Sequence, residues 1–576
     1  MLSDLILFFI SLHLAYALRF DFLIEPRFME NFLTIFISLS LLKIVFFFFF
    51  RVYSITWRFF GLDDALHLIK AHLGAAVTFG ILFYLFYDFF MPMPRSVIFI
   101  DFFLSLMFTG ALRISKRALS EQLKRGENKP TLIIGVNPKT SSIIKSALNG
   151  ELNYFPLAIF ALRKEHQSAV STYISKVKVY ASDEMEKRIG ELGISAAIIT
   201  EDLPQADLKA LFLRLQNAGV KEIKMAKILG SQHEKLEDLS IEDLLARHPQ
   251  DLDSAAIAGF IKGKHVLITG AGGSIGSEIT KQCRHFGAAA LTLIDNSEFN
   301  LYQIAEELPD AVHALCSVTD YARLDRLFSQ RPVDIVIHAA AYKHVPLCEE
   351  NVEIAIINNI IGTKNVIDLS IKHHVQKMVI ISTDKAVRPT NVMGATKRIG
   401  ELYAQNVNTK KTEIVAVRFG NVLGSSGSVI PKFKKQIETG GPVTVTHKEM
   451  TRYFMLIPEA CQLVLQAASI AEGNELFILD MGEPVRIYDL AQQMIRLYGK
   501  ENEIEITFSG LRPGEKLYEE LLIDANEKKT EYSSIFIANP TAYDIEILEE
   551  DIRSLLTAED KIKALQKIVP EFTRQT

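Results

Sequence analysis

The sequence predicts an α/β protein: a four-span helical membrane region, then two doubly wound units, the first degenerate and the second built to hold a dinucleotide beside a small substrate-binding subdomain. Three observations lead there. Apolar runs fill most of the first 112 residues, strands and helices alternate from about Pro130, and a glycine loop lies between a buried strand and a helix at Gly270.

At 576 residues the chain is long enough for three or four domains. Its formal charge of -5 and pI near 6.3 give no bias toward nucleic acid. The four cysteines, Cys283, Cys316, Cys348 and Cys461, are scattered without a CxxC, which suggests neither a disulfide framework nor a zinc site. A reducing compartment for the soluble part follows.

Residues 1–125 form the expected membrane region, with spans at roughly Leu5 to Leu18, Phe32 to Phe50, Leu73 to Phe90 and Val97 to Leu112. No basic segment precedes the first run and more spans follow it, so a cleaved signal peptide is not expected. Arg51, Arg58 and Lys70 lie between spans two and three, and Arg113, Lys116, Arg117, Lys124 and Arg125 follow span four. The opposite side carries only Arg19, Arg27 and Arg95, which directs both ends of the chain to the cytoplasm. Lys43 and Asp101 fall inside spans and are expected to pair within the bundle or to snorkel.

Residues 126–230 read as a Rossmann-like unit, with strands at Thr131 to Ile134 and Ala196 to Ile199 and helices at Ser141 to Leu148 and around Leu208 to Ala218. Its first turn, Gly135-Val-Asn-Pro-Lys-Thr, lacks the further glycines that let backbone approach a pyrophosphate. A structural or regulatory role is expected. Residues 231–261 read as a charged connector with a short helix near Ile241 to Ala246.

Residues 262–530 carry the chemistry. The strand His265 to Thr269 runs into Gly270-Ala-Gly-Gly-Ser-Ile-Gly276 and a helix from Ser277 to Phe286. Gly270 permits the tight turn, Gly273 admits the pyrophosphate beside Ser274 and Ile275, and Gly276 lets helix pack on strand. Phosphate charge would rest on the helix amino end. The strand Ala290 to Ile294 ends at Asp295, where a carboxylate accepts from ribose hydroxyls and favours NAD over NADP. Asp320, after the strand Ala311 to Cys316, is placed to reach the adenine. The strand Val333 to Ile337 ends in His338, Ala339, Ala340 and Ala341, small residues over which a cofactor can lie. His338, His344, Cys348, His373 and His374 match no metal-ligand spacing, and no metal is expected.

The strand Met378 to Ile381 ends in Ser382, Thr383, Asp384 and Lys385. A hydroxyl, an acid and an amine side by side at the carboxyl end of such a strand can move protons. Lys397 follows one helical turn after Met393. The GxxGxxG spacing resembles the short-chain dehydrogenase/reductase superfamily, whose pattern is Ser or Thr on a strand and YxxxK on the next helix. Here Met393 stands in the tyrosine's place, and a thioether neither takes nor gives a proton. Downstream, Arg418, Asn421, Lys432, Arg452 and Arg512 offer groups suited to a diphosphate. Residues 531–576 read as a mixed tail with helices around Asp544 to Leu556 and Ala558 to Ile568.

Five motifs in order, TGAGGSIGSE, HAAAYKHVPLCEEN, STDKAVRPTNVMGATKR, RFGNVLGSSGSVIPKFKKQI and LRPGEKLYEEL, resemble the membrane-bound UDP-N-acetylglucosamine 4,6-dehydratases of bacterial surface-polysaccharide and glycoprotein synthesis. The resemblance covers roughly Lys262 to Leu522, and methionine at the tyrosine position agrees with the long members of that family. It implies a lyase with catalytic NAD: hydride leaves sugar C4, water is lost across C5 and C6, and hydride returns to C6. It makes Asp384 the acid at the C6 hydroxyl, Lys385 the base at C5, Thr383 the holder of the C4 oxygen and Lys397 a ligand of the nicotinamide ribose. The base for the C4 hydroxyl stays open between Thr383 with a water relay and Asp384. Substrate contacts are expected from Lys343, Asn421, Lys432, Arg452, Arg512 and Glu515. The resemblance also implies a multi-pass protein of the bacterial inner membrane, held by lipid contacts at its spans, and a homo-oligomer. A UDP-sugar 4-epimerase and a membrane-anchored nucleotide sensor without turnover are the rival readings.

Overall fold

The computed structural model describes residues 1–54, 62–125, 128–229, 233–245, 252–409, 411–520 and 528–574. The chain divides into two compact units, one of Met1–Glu201 with Arg214–Asp238, the other of Asp202–Leu213 with Leu239–Thr576.

Among the described residues of the first unit, four helices are long and apolar enough to cross a membrane: Leu2–Arg19, Phe32–Phe49, Leu62–Leu85 and Ser96–Arg125. The third begins earlier in the chain and ends before the expected Phe90, because Tyr87–Phe90 forms a separate turn. Leu41, Val77 and Phe103 face outward, as lipid contact requires, while Phe8, Phe47 and Phe79 are buried in the bundle. Lys43 and Asp101 do pair there, at 2.6 Å, and Ser11 donates to the other Asp101 oxygen at 2.7 Å. Arg113 donates to Asp4 at 3.0 Å. Both ion pairs are sealed from the surface, so each charge needs its partner where no water reaches. Arg58, counted above for orientation, lies outside the described residues, as do Gly126, where the second expected unit begins, and Ala246.

The same unit holds a seven-stranded sheet: β1 (Lys129–Ile134), β2 (Tyr154–Ala161), β3 (Tyr173–Ile174), β4 (Val177–Ala181), β5 (Ala196–Ile199), β6 (Glu222–Leu229) and β7 (His233–Asp238), in the order β3-β4-β2-β1-β5-β6-β7. Ser231, where the expected connector begins, lies outside the described residues, and from His233 that connector is instead β7, an antiparallel edge strand on β6. Its alternation is charged on both sides, which hides a strand from a search for apolar runs. At the head of β1 the turn is closed from within. Gly135 has φ +121°, and a Cβ there would lie 2.6 Å from the Glu201 side chain. Val136 N–H donates to Glu201 and Thr140 N–H to the capping Asn137 side chain. The protein's own carboxylate sits where a phosphate would need those donors.

The second unit is built on a nine-stranded sheet. In chain order its strands are β8 (His265–Thr269), β9 (Ala290–Asp295), β10 (Val312–Leu315), β11 (Ile335–His338), β12 (Lys377–Ile381), β13 (Glu413–Arg418), β14 (Leu476–Leu479), β15 (Lys528–Lys529) and β16 (Ile535–Ile537). The spatial order is β10-β9-β8-β11-β12-β13-β14-β16-β15, parallel except for the last two strands. Alternate residues feed two cores. Leu267, Val336, Met378 and Ile380 join the core under the helices Gly362–Lys372 and Val392–Asn406. Val266, Ile268, Ile337 and Val379 join the one under Ser274–His285 and Ile457–Ile470. Helices on both faces explain why these strands read as continuous apolar runs.

The expected break after residue 530 is not seen. Ile535–Ile537 pairs with β14, and the helices Ile545–Thr557 and Lys561–Ile568 pack into the first core through Leu548, Ile552, Leu555 and Leu565. A short helix, Ser254–Ile261, likewise docks on this unit from the former connector, through Ile257 and Ile261. Short strand pairs and the helices Val429–Glu438 and Ile487–Leu497 make the smaller subdomain beside the carboxyl ends of the large sheet.

Candidate active site

The sheet reverses its winding at β8, which has β9 on one side and β11 on the other. Ligands bind at such a switch point, outside the carboxyl ends of the strands. The glycine loop lies there. A Cβ on Gly276 would come within 2.0 Å of the Gly270 carbonyl oxygen, and one on Gly270 within 2.7 Å of Ala340 N. Gly273 precedes the helix without any side-chain cap, which leaves the helix N–H groups open to an anion. Asp295 accepts from Gly272 N and Ser297 N, each at 2.9 Å, so it shapes the loop through lone pairs it can still share with a ribose.

Two cavities adjoin across this region. One of about 440 Å³ is lined by Gly270, Gly273, Ser274, Ile275, Gly276 and Ala339. The other, about 310 Å³, is lined by Thr383, Lys385, Met393, Lys397 and Asn421. Lys343 and His344 line both. The loop bearing them is pinned by Asn359, which accepts from Tyr342 N at 2.8 Å and donates to Tyr342 O at 3.0 Å.

The polar end of β12 is organised by its own short turn. Thr383 Oγ1 accepts from Lys385 N and donates to Asp384 Oδ1 at 2.9 Å. Lys385 Nζ donates to Asp384 Oδ1 at 3.0 Å and to Asn421 Oδ1 at 3.1 Å. Burial works against the charge on Lys385, but the carboxylates of Asp384 and Glu519 outweigh it and raise its pKa. The amine is therefore an ammonium at rest. The helix Val392–Asn406 starts against this turn: a Cβ on Gly394 would lie 2.2 Å from Lys385 O. That helix brings Met393 and Lys397 to the cavity wall. Lys397 Nζ donates to Ile381 O at 2.6 Å, and burial lowers its pKa to about 8.

Behind this wall lies an ion-pair network that the sequence did not reveal. Glu401 accepts from Arg418 Nε at 2.7 Å and Nη2 at 2.5 Å, from Ser382 Oγ at 2.6 Å and from Arg398 at 3.3 Å. Arg418, expected near a diphosphate, is thus fully buried in the scaffold. Arg452 is buried too, and donates to the carbonyls of Thr451, Lys516 and Leu517. Glu519, also missed, lies 3.6 Å from both Lys385 and Arg452. The only signal for it was its place in the LRPGEKLYEEL motif.

The remaining expected residues fall in three places. His338 turns both ring nitrogens inward, to Thr269 Oγ1 at 2.7 Å and Thr363 Oγ1 at 3.0 Å, so its side chain fastens β11 to its neighbours. Burial and Lys397 lower its pKa to about 3, which keeps it neutral. Asp320 is exposed and caps a helix through Arg323 N. Lys432, Arg512 and Glu515 gather on the smaller subdomain: Glu515 accepts from Arg512 N at 3.2 Å, and burial with the Arg512 charge lowers the Lys432 pKa.

A glycine loop at the switch point and a Thr-Asp-Lys strand end facing a helix with Lys397 define a short-chain dehydrogenase/reductase centre of the dehydratase and epimerase kind. The model of the family described as "Polysaccharide biosynthesis protein" matches residues 266–540. "Capsular polysaccharide biosynthesis protein CapD" of Staphylococcus aureus is 40% identical over 582 residues, covering 96% of each chain. The chain belongs to this polysaccharide biosynthesis family. Over 287 residues it is 33% identical to a "UDP-N-acetylglucosamine 4,6-dehydratase (inverting)" of Campylobacter jejuni, covering 48% of this chain and 83% of that one. It is 34% identical to a "UDP-glucose 4-epimerase" of Rickettsia canadensis, covering 46% and 80%.

Proposed function

We propose that this protein catalyses the 4,6-dehydration of UDP-N-acetylglucosamine to a UDP-2-acetamido-2,6-dideoxy-4-hexulose. The observation that carries the reading is the Asp384–Lys385 pair, an acid and an amine 3.0 Å apart, with Lys385 on the wall of a cavity where Met393 replaces the superfamily tyrosine and Asp384 buried directly behind it. Epimerisation at C4 requires no acid for a C6 leaving group; elimination does.

The crowded glycines and the uncapped helix start fit a dinucleotide, with Gly270, Gly273, Ser274, Ile275, Gly276, Asp295 and Ala339 about the pyrophosphate and ribose. When bound, NAD supplies the oxidant that takes hydride from sugar C4 and the reductant that returns it to C6. The protein does the rest. Thr383 holds the C4 oxygen, and Lys397, whose pKa burial lowers to about 8, orients the nicotinamide ribose. Met393 carries no proton, so the C4 hydroxyl proton leaves through Thr383 or Asp384, which are joined at 2.9 Å. Lys385 removes the C5 proton that the 4-ketone has acidified, and Asp384 protonates the departing C6 hydroxyl. Lys343, Asn421, Lys432, Arg512 and Glu515 take the nucleotide sugar.

The relative named for UDP-N-acetylglucosamine dehydration supports this substrate and the lyase class. The basic flanks of the spans support an inner-membrane protein with its catalytic part, residues 262–530, on the cytoplasmic side, and a homo-oligomer is included in the reading. Residues 126–230 would serve as a spacer or regulatory unit between spans and catalytic part.

The test is product identity. The full chain in detergent, given UDP-N-acetylglucosamine and NAD, should form a sugar with a 4-keto group and a C6 methyl by NMR. UDP-N-acetylgalactosamine would establish the epimerase instead, which the Rickettsia relative makes the natural alternative.

A further inference from the structure

Glu519 is a second carboxyl in the proton-handling cluster, and no step above uses it. Its side chain is 3% exposed, its Oε1 stands 3.6 Å from Lys385 Nζ and 3.6 Å from Arg452 Nε, and its Oε2 has no hydrogen-bond partner among the described residues. Asp384, fully buried, likewise has an Oδ2 without a partner among them. The charged groups acting on Glu519 are Lys385, Arg452 and Lys516, which favour its ionised form, and Asp384, which opposes it. Those acting on Lys385 are Asp384 and Glu519, which hold its proton, and Arg452, which repels it.

This arrangement leaves the shared proton of the catalytic pair on the wrong partner for elimination. Lys385 must be a free amine to take the C5 proton, and Asp384 must be a carboxylic acid to serve the C6 oxygen. With the C4 hydroxyl proton passed to water through Thr383, passage of one proton from Nζ to Oδ1 across the 3.0 Å contact corrects both at once. An N–H bond breaks, its electron pair stays on nitrogen, and an O–H bond forms, with no net charge entering the site. A carboxylate at 3.6 Å from the ammonium opposes that transfer, and a neutral carboxyl there does not.

We propose that Glu519 is a positioning residue that sets where this proton lies: ionised, it holds the proton on Lys385, and neutral, it releases the proton to Asp384. Burial and the Asp384 charge raise the pKa of Glu519, which brings its own ionisation toward the working range. The proposal rests on the dehydratase reading given above.

The experiment is the pH profile of kcat for product formation by the full chain in detergent, in wild type, Glu519→Gln and Glu519→Asp. The alkaline limb reports loss of the pair's proton from Lys385. Loss of an opposite charge at this distance should move that limb down by about 1 to 3 pH units in Glu519→Gln, with the plateau kept or raised. Glu519→Asp, which keeps the charge but withdraws it by one methylene, should fall between. An alkaline limb unmoved in both variants would overturn the proposal, because a merely structural role changes the plateau and not the limb. Loss of product in both variants would overturn it as well, since Glu519 would then be required rather than restraining. A wild type that makes no 4-keto product at any pH would instead refute the dehydratase reading on which the proposal stands.

Discussion

Glu401→Gln removes the carboxylate that Arg418, Arg398 and Ser382 share directly behind the β12 strand end. Both Glu401 and Arg418 are sealed from solvent, so the variant leaves two guanidinium groups facing a neutral amide in a dry site. Removing one partner of a buried pair costs about 3–5 kcal/mol. At about 2 °C per kcal/mol for a unit of this size, the unfolding midpoint should fall by roughly 6–10 °C. Arg418→Met should cost less than half as much, because Glu401 keeps Arg398 and Ser382 and the cation is gone. The pH dependence carries a sign. Burial raises the Glu401 pKa, but the Arg418 and Arg398 charges and hydrogen bonds overcome it, so the folded value lies below the ordinary 4.5. Its stabilising contribution is therefore complete above about pH 4.5 and is lost as pH falls through the depressed folded value. The gap between wild type and Glu401→Gln should be constant from pH 7 to 5 and narrow below that. The assay is thermal unfolding of the detergent-solubilised chain followed by far-UV circular dichroism. A midpoint within 2 °C of wild type at pH 7 would refute the view that this network holds the strand end in place.

Four further outcomes follow from the geometry. Asp384→Ala and Lys385→Ala should each abolish the 4-keto product while NAD still binds, as measured by fluorescence titration of NADH. Gly276→Ala should weaken NADH binding at least tenfold in the same titration, because its Cβ would meet the Gly270 carbonyl at 2.0 Å. Lys397, whose folded pKa lies near 8 and thus below the ordinary lysine value of 10.5, binds its proton less readily folded than unfolded. Stability should rise between about pH 8 and 10.5 in wild type relative to Lys397→Met, measured by the unfolding midpoint. Lys43→Met should lower the yield of folded protein in the membrane by leaving Asp101 without its counter-charge, and Lys43→Met with Asp101→Asn should restore it.

Much of the catalytic unit was legible because its strands are buried on both faces. Continuous apolar runs such as His265–Thr269 and Lys377–Ile381 end at polar residues, and those ends mark the site. The glycine spacing carried the cofactor loop, since each glycine there answers a definite steric crowding. What stayed hidden depended on contacts distant in sequence. Arg418 and Arg452 looked like surface cations suited to a diphosphate, and only the approach of Glu401 and of the 516–517 carbonyls shows them as scaffold. Glu519 reaches Lys385 across more than a hundred residues, which no local pattern encodes. His338 seemed to face the cofactor because its strand does, yet two threonines on neighbouring elements claim its ring. The charged edge strand His233–Asp238 escaped notice because it shows no apolar alternation, and the tail strand Ile535–Ile537 because an apolar run of three residues is too short to mark a strand.

The most direct test of the central claim follows a single hydrogen. UDP-N-acetylglucosamine carrying deuterium at C4, incubated with the full chain and NAD in ordinary water, should give a product whose C6 methyl group contains that deuterium. Deuterium still at C4 of a recovered or epimerised sugar, with C6 unchanged, would contradict the dehydratase assignment and with it the roles given to Asp384 and Lys385.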